Sequence, residues 1–148
     1  MTTTPRFTIV RDPGFLFGGV MGKVVGAQGP LARLDERFPF HACGKELWIP
    51  AGYEWNGNSV PFFLWGWPFH YMPFGLNVAS SLVHDFLCDI GTGGSDWLRA
   101  TMGDAYPAPL PSAEVHWDFY QRNLAWGMPR RKAQLWYQAV RTFGPRWK

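Results

Sequence analysis

The sequence predicts an α+β fold in which a small N-terminal antiparallel β-sheet packs on a C-terminal bundle of about three helices. Short β-favouring runs broken by turn residues occupy the first third of the chain. After Gly75 the apolar residues recur at helical spacing, and two further helical segments follow with start and stop signals at their ends. We expect a single domain over residues 1–148, β-rich over about 1–60, with an aromatic loop at 61–75 and helices over about 76–148.

The β-rich part contains three short strand-like stretches. Residues 7–10 and 20–25 favour β-structure, and Asp, Pro and Gly residues separate them. The stretch ELWIPAGYEW, residues 46–55, continues this pattern, with a strand that ends at Pro50 and a turn at Gly52. Stretches of this length are typical of a small, twisted antiparallel sheet.

An aromatic segment separates the strands from the helices. Residues 61–75, PFFLWGWPFHYMPFG, are too short and too broken by proline and glycine for a transmembrane helix, which needs about 20 apolar residues. One interpretation is an irregular segment that covers the core, and the other is an exposed patch that docks on a partner or a membrane interface. In the second interpretation the binding residues are Trp65, Trp67, Phe69 and Tyr71.

The first helix is predicted from Leu76 to about Ile90, where apolar residues recur at helical spacing. We expect Gly91 and the glycines after it to end this helix. The chain from Gly91 to Pro111 is expected to be mostly loop, with a short helical turn within residues 96–106.

Two more helices complete the predicted bundle. Ser112 is the predicted N-cap of the second helix, which runs over about residues 113–126. Pro129 near the start and Gly144 after the last turn bracket the third helix. We expect four apolar residues to form the buried side of the third helix: Leu135, Ala139, Val140 and Phe143.

Charge and cysteine content limit the classes of function. The 14 Lys and Arg residues and 11 Asp and Glu residues give a formal charge of +3, with the basic excess near the end of the sequence. This is a mildly basic flank, so we expect no specific nucleic-acid recognition. The first residues lack a secretory signal, so we expect the protein to stay in the cytoplasm of the cell that makes it. Cys43 and Cys88 are far apart in a chain without an export signal, which favours reduced thiols, and the lack of CxxC spacing argues against metal ligation by cysteine.

The candidate site lies in the middle of the first helix, where His84 and Asp85 form a buried ionisable pair that must be satisfied. If the first two helices pack antiparallel, His116 could join this pair around one divalent ion such as Zn²⁺. Three interpretations stay open. The residues His84, Asp85 and His116 form a metal site, or His84 and Asp85 act in an acid–base or hydrogen-bonded pocket without metal, or they are a satisfied structural pair.

Common catalytic motifs are absent from the sequence. It contains no GxSxG, no P-loop and no GxGxxG pattern, so serine hydrolases, nucleotidases and dinucleotide-dependent enzymes have no support.

Three stretches in this order resemble a known family. They are GYEWNGNSVPFFLW at 52–65, VHDFL at 83–87 and AVRTFG at 139–144. Over about residues 46–147 the chain resembles the phage and prophage family known as domain of unknown function thirteen fifty-three. The resemblance implies a phage origin and supplies no mechanism.

The resemblance also implies a set of characteristic residues, which by position are Gly52, Asn56, Ser59, Pro61, His84, Asp85 and Arg141. Asn56 stands where the family usually has Asp, and Val115-His116 stands where it usually has an Ala-Asp pair. Both changes replace a carboxylate. The change to His keeps a potential metal ligand, whereas the change to Asn weakens ligation and removes a candidate general base.

The sequence and the resemblance together predict a virion or assembly component, tail-associated, that acts through an aromatic and basic contact surface. Its partners would be other phage proteins or further copies of the same chain. We expect no transmembrane segment in the protein itself. The alternative is a small metal-dependent hydrolase that acts on cell-envelope material through His84, Asp85 and His116. A further alternative is an intracellular accessory protein that binds a host factor.

Overall fold

The structure, a computed structural model, describes residues 4–11, 31–55, 78–144 and 146–147. In these residues short antiparallel strands are followed by four α-helices, so the predicted α+β class is confirmed. Two predicted segments, the strand at 20–25 and the aromatic loop at 61–75, lie outside the described residues.

The described strands form two small antiparallel sheets where one was expected. The strands are β1 (Phe7–Arg11), β2 (Leu31–Leu34), β3 (Phe38–Ala42), β4 (Lys45–Ile49) and β5 (Glu54–Trp55). One sheet has the order β1-β2-β5, and β3 pairs with β4 in the other. Buried and exposed residues alternate along β3, which is the pattern of a strand with one face on the core.

A tight turn at Cys43 and Gly44 joins β3 to β4. Both residues have positive φ, 51° and 77°, which is the combination of a type I′ turn, whose twist matches that of the flanking strands. Ala42 pairs with Lys45 directly beside this turn. The turn predicted at Gly52 is present, and the φ of 90° at Gly52 favours glycine.

The four helices are α1 (Val78–Gly91), α2 (Asp96–Met102), α3 (Ser112–Ala125) and α4 (Arg130–Phe143). Three of them correspond to the predicted helices. The fourth, α2, confirms the short helical turn expected within residues 96–106, and Ser95 caps it by accepting a hydrogen bond from the Leu98 backbone N–H at 3.1 Å. No helix in the described ranges is long and apolar enough to span a membrane.

The start of α3 differs from the prediction. Ser112 is the first residue of the helix, and Pro111 takes the N-cap position. The Ser112 hydroxyl donates to the backbone carbonyl of Trp147 at 2.9 Å. The side chain that was expected to cap the helix therefore fastens the C-terminal residues to it.

The helix α1 ends near the predicted position, but Gly91 is not the residue at which the chain turns. Gly91 still belongs to α1, and the chain turns only at Gly93 and Gly94, which have positive φ. Gly91 provides space, because a Cβ atom there would collide with the indole of Trp147. That indole donates to the Leu110 carbonyl at 2.6 Å, so Trp147 is held against the end of α1.

The predicted buried side of α4 is wrong at Leu135, which is 49% exposed. Val140 is buried as predicted, and Ala133 and Trp136 are buried with it. The large indole of Trp136 packs in the apolar cluster that joins α3 and α4, and this rotates the buried face of the helix away from Leu135. The side chain of Phe143 lies outside the described part of the structure.

The sheets and α1 share one apolar core with Phe86 at its centre. Phe86 is fully buried, and its ring centroid lies 6.0 Å from that of Phe40 on β3 and 5.7 Å from that of Tyr53, both edge-on. The indole N–H of Trp55 donates to the Ser81 hydroxyl at 3.4 Å. These contacts hold α1 against both sheets.

Replacing Phe86 with alanine should lower the free energy of unfolding by about 3–5 kcal/mol, because the substitution leaves a cavity between three elements. The matched control is Leu135→Ala on α4, where half of the side chain is already exposed, and the expected loss is below about 1 kcal/mol. Urea unfolding of the two variants measures both values. Equal losses would contradict the core described here.

Candidate functional site

Three buried side chains between α1 and α3 place atoms that commonly ligate metal ions close to one another. His84 and Cys88 lie one turn apart on α1, and His116 faces them from α3. The Nε2 atom of His84 is 2.9 Å from Nδ1 of His116 and 3.6 Å from Sγ of Cys88. One ligand atom from each of the three residues lies within 4.8 Å of those of the other two. Among the described residues, these are the histidine, cysteine or acidic side chains that are close enough to share one ion.

The sequence of α1 allows α3 to come this close. Ser80 and Cys88 lie one turn before and one turn after His84, and both are small and buried. The His84 ring packs against Phe119 of α3, with the ring centroids 4.5 Å apart. The small residues therefore leave room for α3, and its aromatic side chains cover the imidazole.

Burial keeps the His84 imidazole neutral. Burial and the neighbouring His116 lower the pKa of His84 from 6.5 to about 3. Burial also raises the pKa of the Cys88 thiol well above its ordinary value, and nearby carboxylates act in the same direction. The distance of 2.9 Å suits a hydrogen bond between the two imidazoles, and the neutral form of His84 is also the form that ligates metals.

Asp85 lies beside this group and not within it. Its Oδ1 atom is 3.9 Å from Nδ1 of His84, while the other ring nitrogen, Nε2, faces His116. The structure thus brings together two members of the predicted metal site, His84 and His116. It places the thiol of Cys88 where the prediction had a carboxylate. Metal binding and catalysis at these residues stay predictions.

Cys88 is the site residue that sequence reasoning missed. The argument against cysteine ligation rested on the lack of a CxxC pair, but ligands that come from two helices do not need that spacing. The available signal was the spacing of four residues between His84 and Cys88, which puts both side chains on one helix face. Cys43, in contrast, is exposed in the turn between β3 and β4, and both thiols are free.

Most other predicted site residues cannot be placed with this cluster. The predicted contact residues lie outside the described residues: Trp65, Trp67, Phe69 and Tyr71. The same is true of three family-motif residues: Asn56, Ser59 and Pro61. Gly52 lies in the turn before β5. Arg141 is exposed on α4, with its guanidinium 5.3 Å from the ring centroid of Tyr137.

A second candidate feature is a concave surface formed by α3 and α4, which we call the helix-pair face. It consists of Trp117, Arg131, Leu135, Tyr137, Gln138, Arg141 and Arg146. Two clefts of about 580 Å³ and 420 Å³ lie side by side on this face, because Tyr137 and Gln138 line both.

The helix-pair face is both apolar and cationic. Trp117 is 50% exposed, and its ring packs at 5.6 Å from that of Tyr137, which holds it in place. Among the residues that the structure describes, those that line the two clefts include three arginines and no carboxylate. Exposed aromatic and arginine side chains of this kind are typical of the centres of protein interfaces.

Comparison with known proteins gives a family without a known function. The family model described as "Protein of unknown function (DUF1353)" matches residues 32–140. The chain is 28% identical over 139 residues to the uncharacterized protein y4jT of Sinorhizobium fredii (strain NBRC 101917 / NGR234). That match covers 90% of this chain but only 35% of the relative, so the chain spans about a third of the length of the relative it matches. No solved structure matches the chain.

Replacing both imidazoles should cost less than the sum of the two single replacements. Either His84→Leu or His116→Leu removes the partner of a buried ring nitrogen, a penalty of about 1–3 kcal/mol, whereas the double variant leaves no imidazole behind. Urea unfolding in the presence of a chelator should therefore give a coupling energy of about 0.5–3 kcal/mol.

The control for this cycle is His41→Leu combined with His84→Leu. His41 is exposed on β3, so its replacement should add to that of His84 without coupling. Additive effects for the pair of His84 and His116 would show that the close approach of their ring nitrogens contributes nothing to stability.

Proposed function

This chain belongs to the family described as Protein of unknown function (DUF1353), and on that premise we propose that it is an assembly component of a phage or prophage-derived particle. In this proposal it holds an acidic segment of another particle protein on the helix-pair face. The protein would be made in the host cytoplasm and carried into the tail. The particle and its tail come from the sequence resemblance, whereas the mode of binding comes from the surface.

The observation that carries the proposed binding mode is the composition of the helix-pair face. Trp117 and Leu135 expose large apolar surfaces side by side, and a patch of this kind in a folded protein marks an interaction site. Arg131 and Arg141 flank the two clefts, and no carboxylate from the described part of the chain lines them. Charge complementarity therefore favours an acidic segment as the occupant.

The arginines add specificity to this surface. A planar guanidinium can bind a carboxylate through two parallel hydrogen bonds, which orients the partner as well as attracting it. The exposed ring of Trp117 supplies apolar contact area next to these charges. An acidic segment with an apolar side chain between its carboxylates would match both features.

The cluster of His84, Cys88 and His116 gives weaker support to a hydrolase. A hydrolytic metal keeps one coordination position open to water and substrate. The two histidines are each 3% exposed and Cys88 is 6% exposed. His116 borders the smaller cleft of the helix-pair face but is covered almost completely. This enclosure favours a role in holding the fold.

The variant Trp117→Ser/Arg131→Glu should reduce incorporation of the protein into purified particles at least tenfold. An aromatic residue at the centre of an interface contributes about 2 kcal/mol or more, and about 1.4 kcal/mol corresponds to a tenfold change in affinity. The measurement is quantitative immunoblotting of particles assembled in a host that carries the altered gene, normalised to the major particle protein.

The matched control is Trp97→Ser/Lys45→Glu, which changes the same kinds of residue away from the helix-pair face. Trp97 is 46% exposed on α2, and Lys45 is exposed at the start of β4. This variant should be incorporated normally. Normal incorporation of the Trp117 variant would contradict the proposed role of the helix-pair face. If the unaltered protein is absent from particles, the result favours the alternative function, an accessory protein that binds a host factor.

A further inference from the structure

We propose that His84, Cys88 and His116 bind one Zn²⁺ ion that fastens α1 to α3. The inference stands apart from the proposed function, because it concerns a buried site and not the helix-pair face. Two imidazoles and a thiolate are ligands that select zinc or copper over the hard cations Mg²⁺ and Ca²⁺. Zinc is the assignment because Cys and His ligands from separate elements are typical of structural zinc sites.

The distances between the ligand atoms fit this ion after a small adjustment. Bonds of about 2.0–2.1 Å to nitrogen and about 2.3 Å to sulfur, at tetrahedral angles, place two nitrogens about 3.3 Å apart and a nitrogen and a sulfur about 3.6 Å apart. The separation of Nε2 of His84 and Sγ of Cys88 is already 3.6 Å, and that of the two ring nitrogens is 2.9 Å. One ligand atom from each of the three residues lies within 4.8 Å of those of the other two, so binding of the ion would draw the side chains of Cys88 and His116 slightly together.

Asp85 lies near the other ring nitrogen of the first imidazole. A metal-ligating histidine commonly donates its other ring N–H to a carboxylate, which fixes the ring and its tautomer. Nε2 of His84 points at the cluster, and the carboxylate of Asp85 lies 3.9 Å from Nδ1. This separation is longer than a hydrogen bond, so Asp85 would orient the ring only after metal binding brought the two groups closer together.

Ser80 is a buried polar side chain on the same face of α1 as His84. Its side chain is fully buried one turn before His84, and its hydroxyl has no hydrogen-bond partner in the part of the chain that the structure describes. A buried hydroxyl without a partner is destabilising. A water molecule in the fourth coordination position of the zinc would give the Ser80 hydroxyl a partner and complete a tetrahedral set of ligands.

The role of the ion follows from where its ligands lie. Two ligands come from α1 and one from α3, and the site is closed to solvent, so the ion would link two helices that are otherwise joined there by side-chain packing and by the hydrogen bond between the two imidazoles. Because the unfolded chain does not preform such a site, the free energy of binding becomes free energy of folding.

Metal analysis and melting of the unaltered protein test the proposal without any mutation. Protein purified without chelator should contain close to one zinc per chain by elemental analysis. Removal of the metal with a chelator should lower Tm by about 5–15 °C, and added Zn²⁺ should restore it. Protein that contains no zinc, takes none up from solution and melts at the same temperature with or without Zn²⁺ would overturn the proposal. Stoichiometric copper in place of zinc would overturn the assignment of the ion.

Cobalt substitution tests the ligand set. Co²⁺ added to the metal-free protein should give the visible bands of a tetrahedral site and a thiolate-to-cobalt charge-transfer band. Cys88→Ser should abolish the charge-transfer band, whereas the matched variant Cys43→Ser, which alters the exposed cysteine, should keep it. Loss of the band in the Cys43 variant, or its persistence in a folded Cys88 variant, would contradict the site.

Discussion

The close contact of α1 with α3 at His84 and His116 is the constraint on which the helical half of the molecule depends. A ring nitrogen in an apolar interior needs a partner, and Nε2 of His84 and Nδ1 of His116 supply one to each other at 2.9 Å. The small side chains of Ser80 and Cys88 allow the backbones to approach far enough for this to happen. The relative position of the two helices is therefore set by polar atoms as well as by apolar packing.

Helix α3 carries both the buried contact of His116 with His84 and the exposed ring of Trp117. His116 and Trp117 are consecutive residues of α3, and consecutive residues of an α-helix point about 100° apart. One therefore faces α1 while the other stands on the surface, and Tyr137 of α4 packs against the exposed ring. Whatever fixes the rotation of α3 about its axis also fixes the orientation of the helix-pair face.

The parts of the fold that the sequence predicted are those with a strong local pattern. The long helices have regular apolar spacing and Pro or Gly signals at their ends, and the meeting of His84 with His116 followed from two helices that each bury one histidine. The division of the strands between two sheets depends on pairing between distant segments, which no local pattern specifies. The exposure of Leu135 depends on the large ring of Trp136 competing for the same interface. Cys88 was missed because a ligand set assembled in three dimensions leaves no spacing motif in the sequence.

The contact of Gly91 with Trp147 has a consequence for how sequences of this family can diverge. The indole occupies the space that any side chain at position 91 would need, and it also lies edge-on to the ring of His116, with the centroids 6.1 Å apart. A larger residue at 91 is compatible with this packing only if a smaller one replaces Trp147. The two positions, 56 residues apart along the chain, should therefore covary among homologues. A substitution at one position should be accepted only together with a matching substitution at the other.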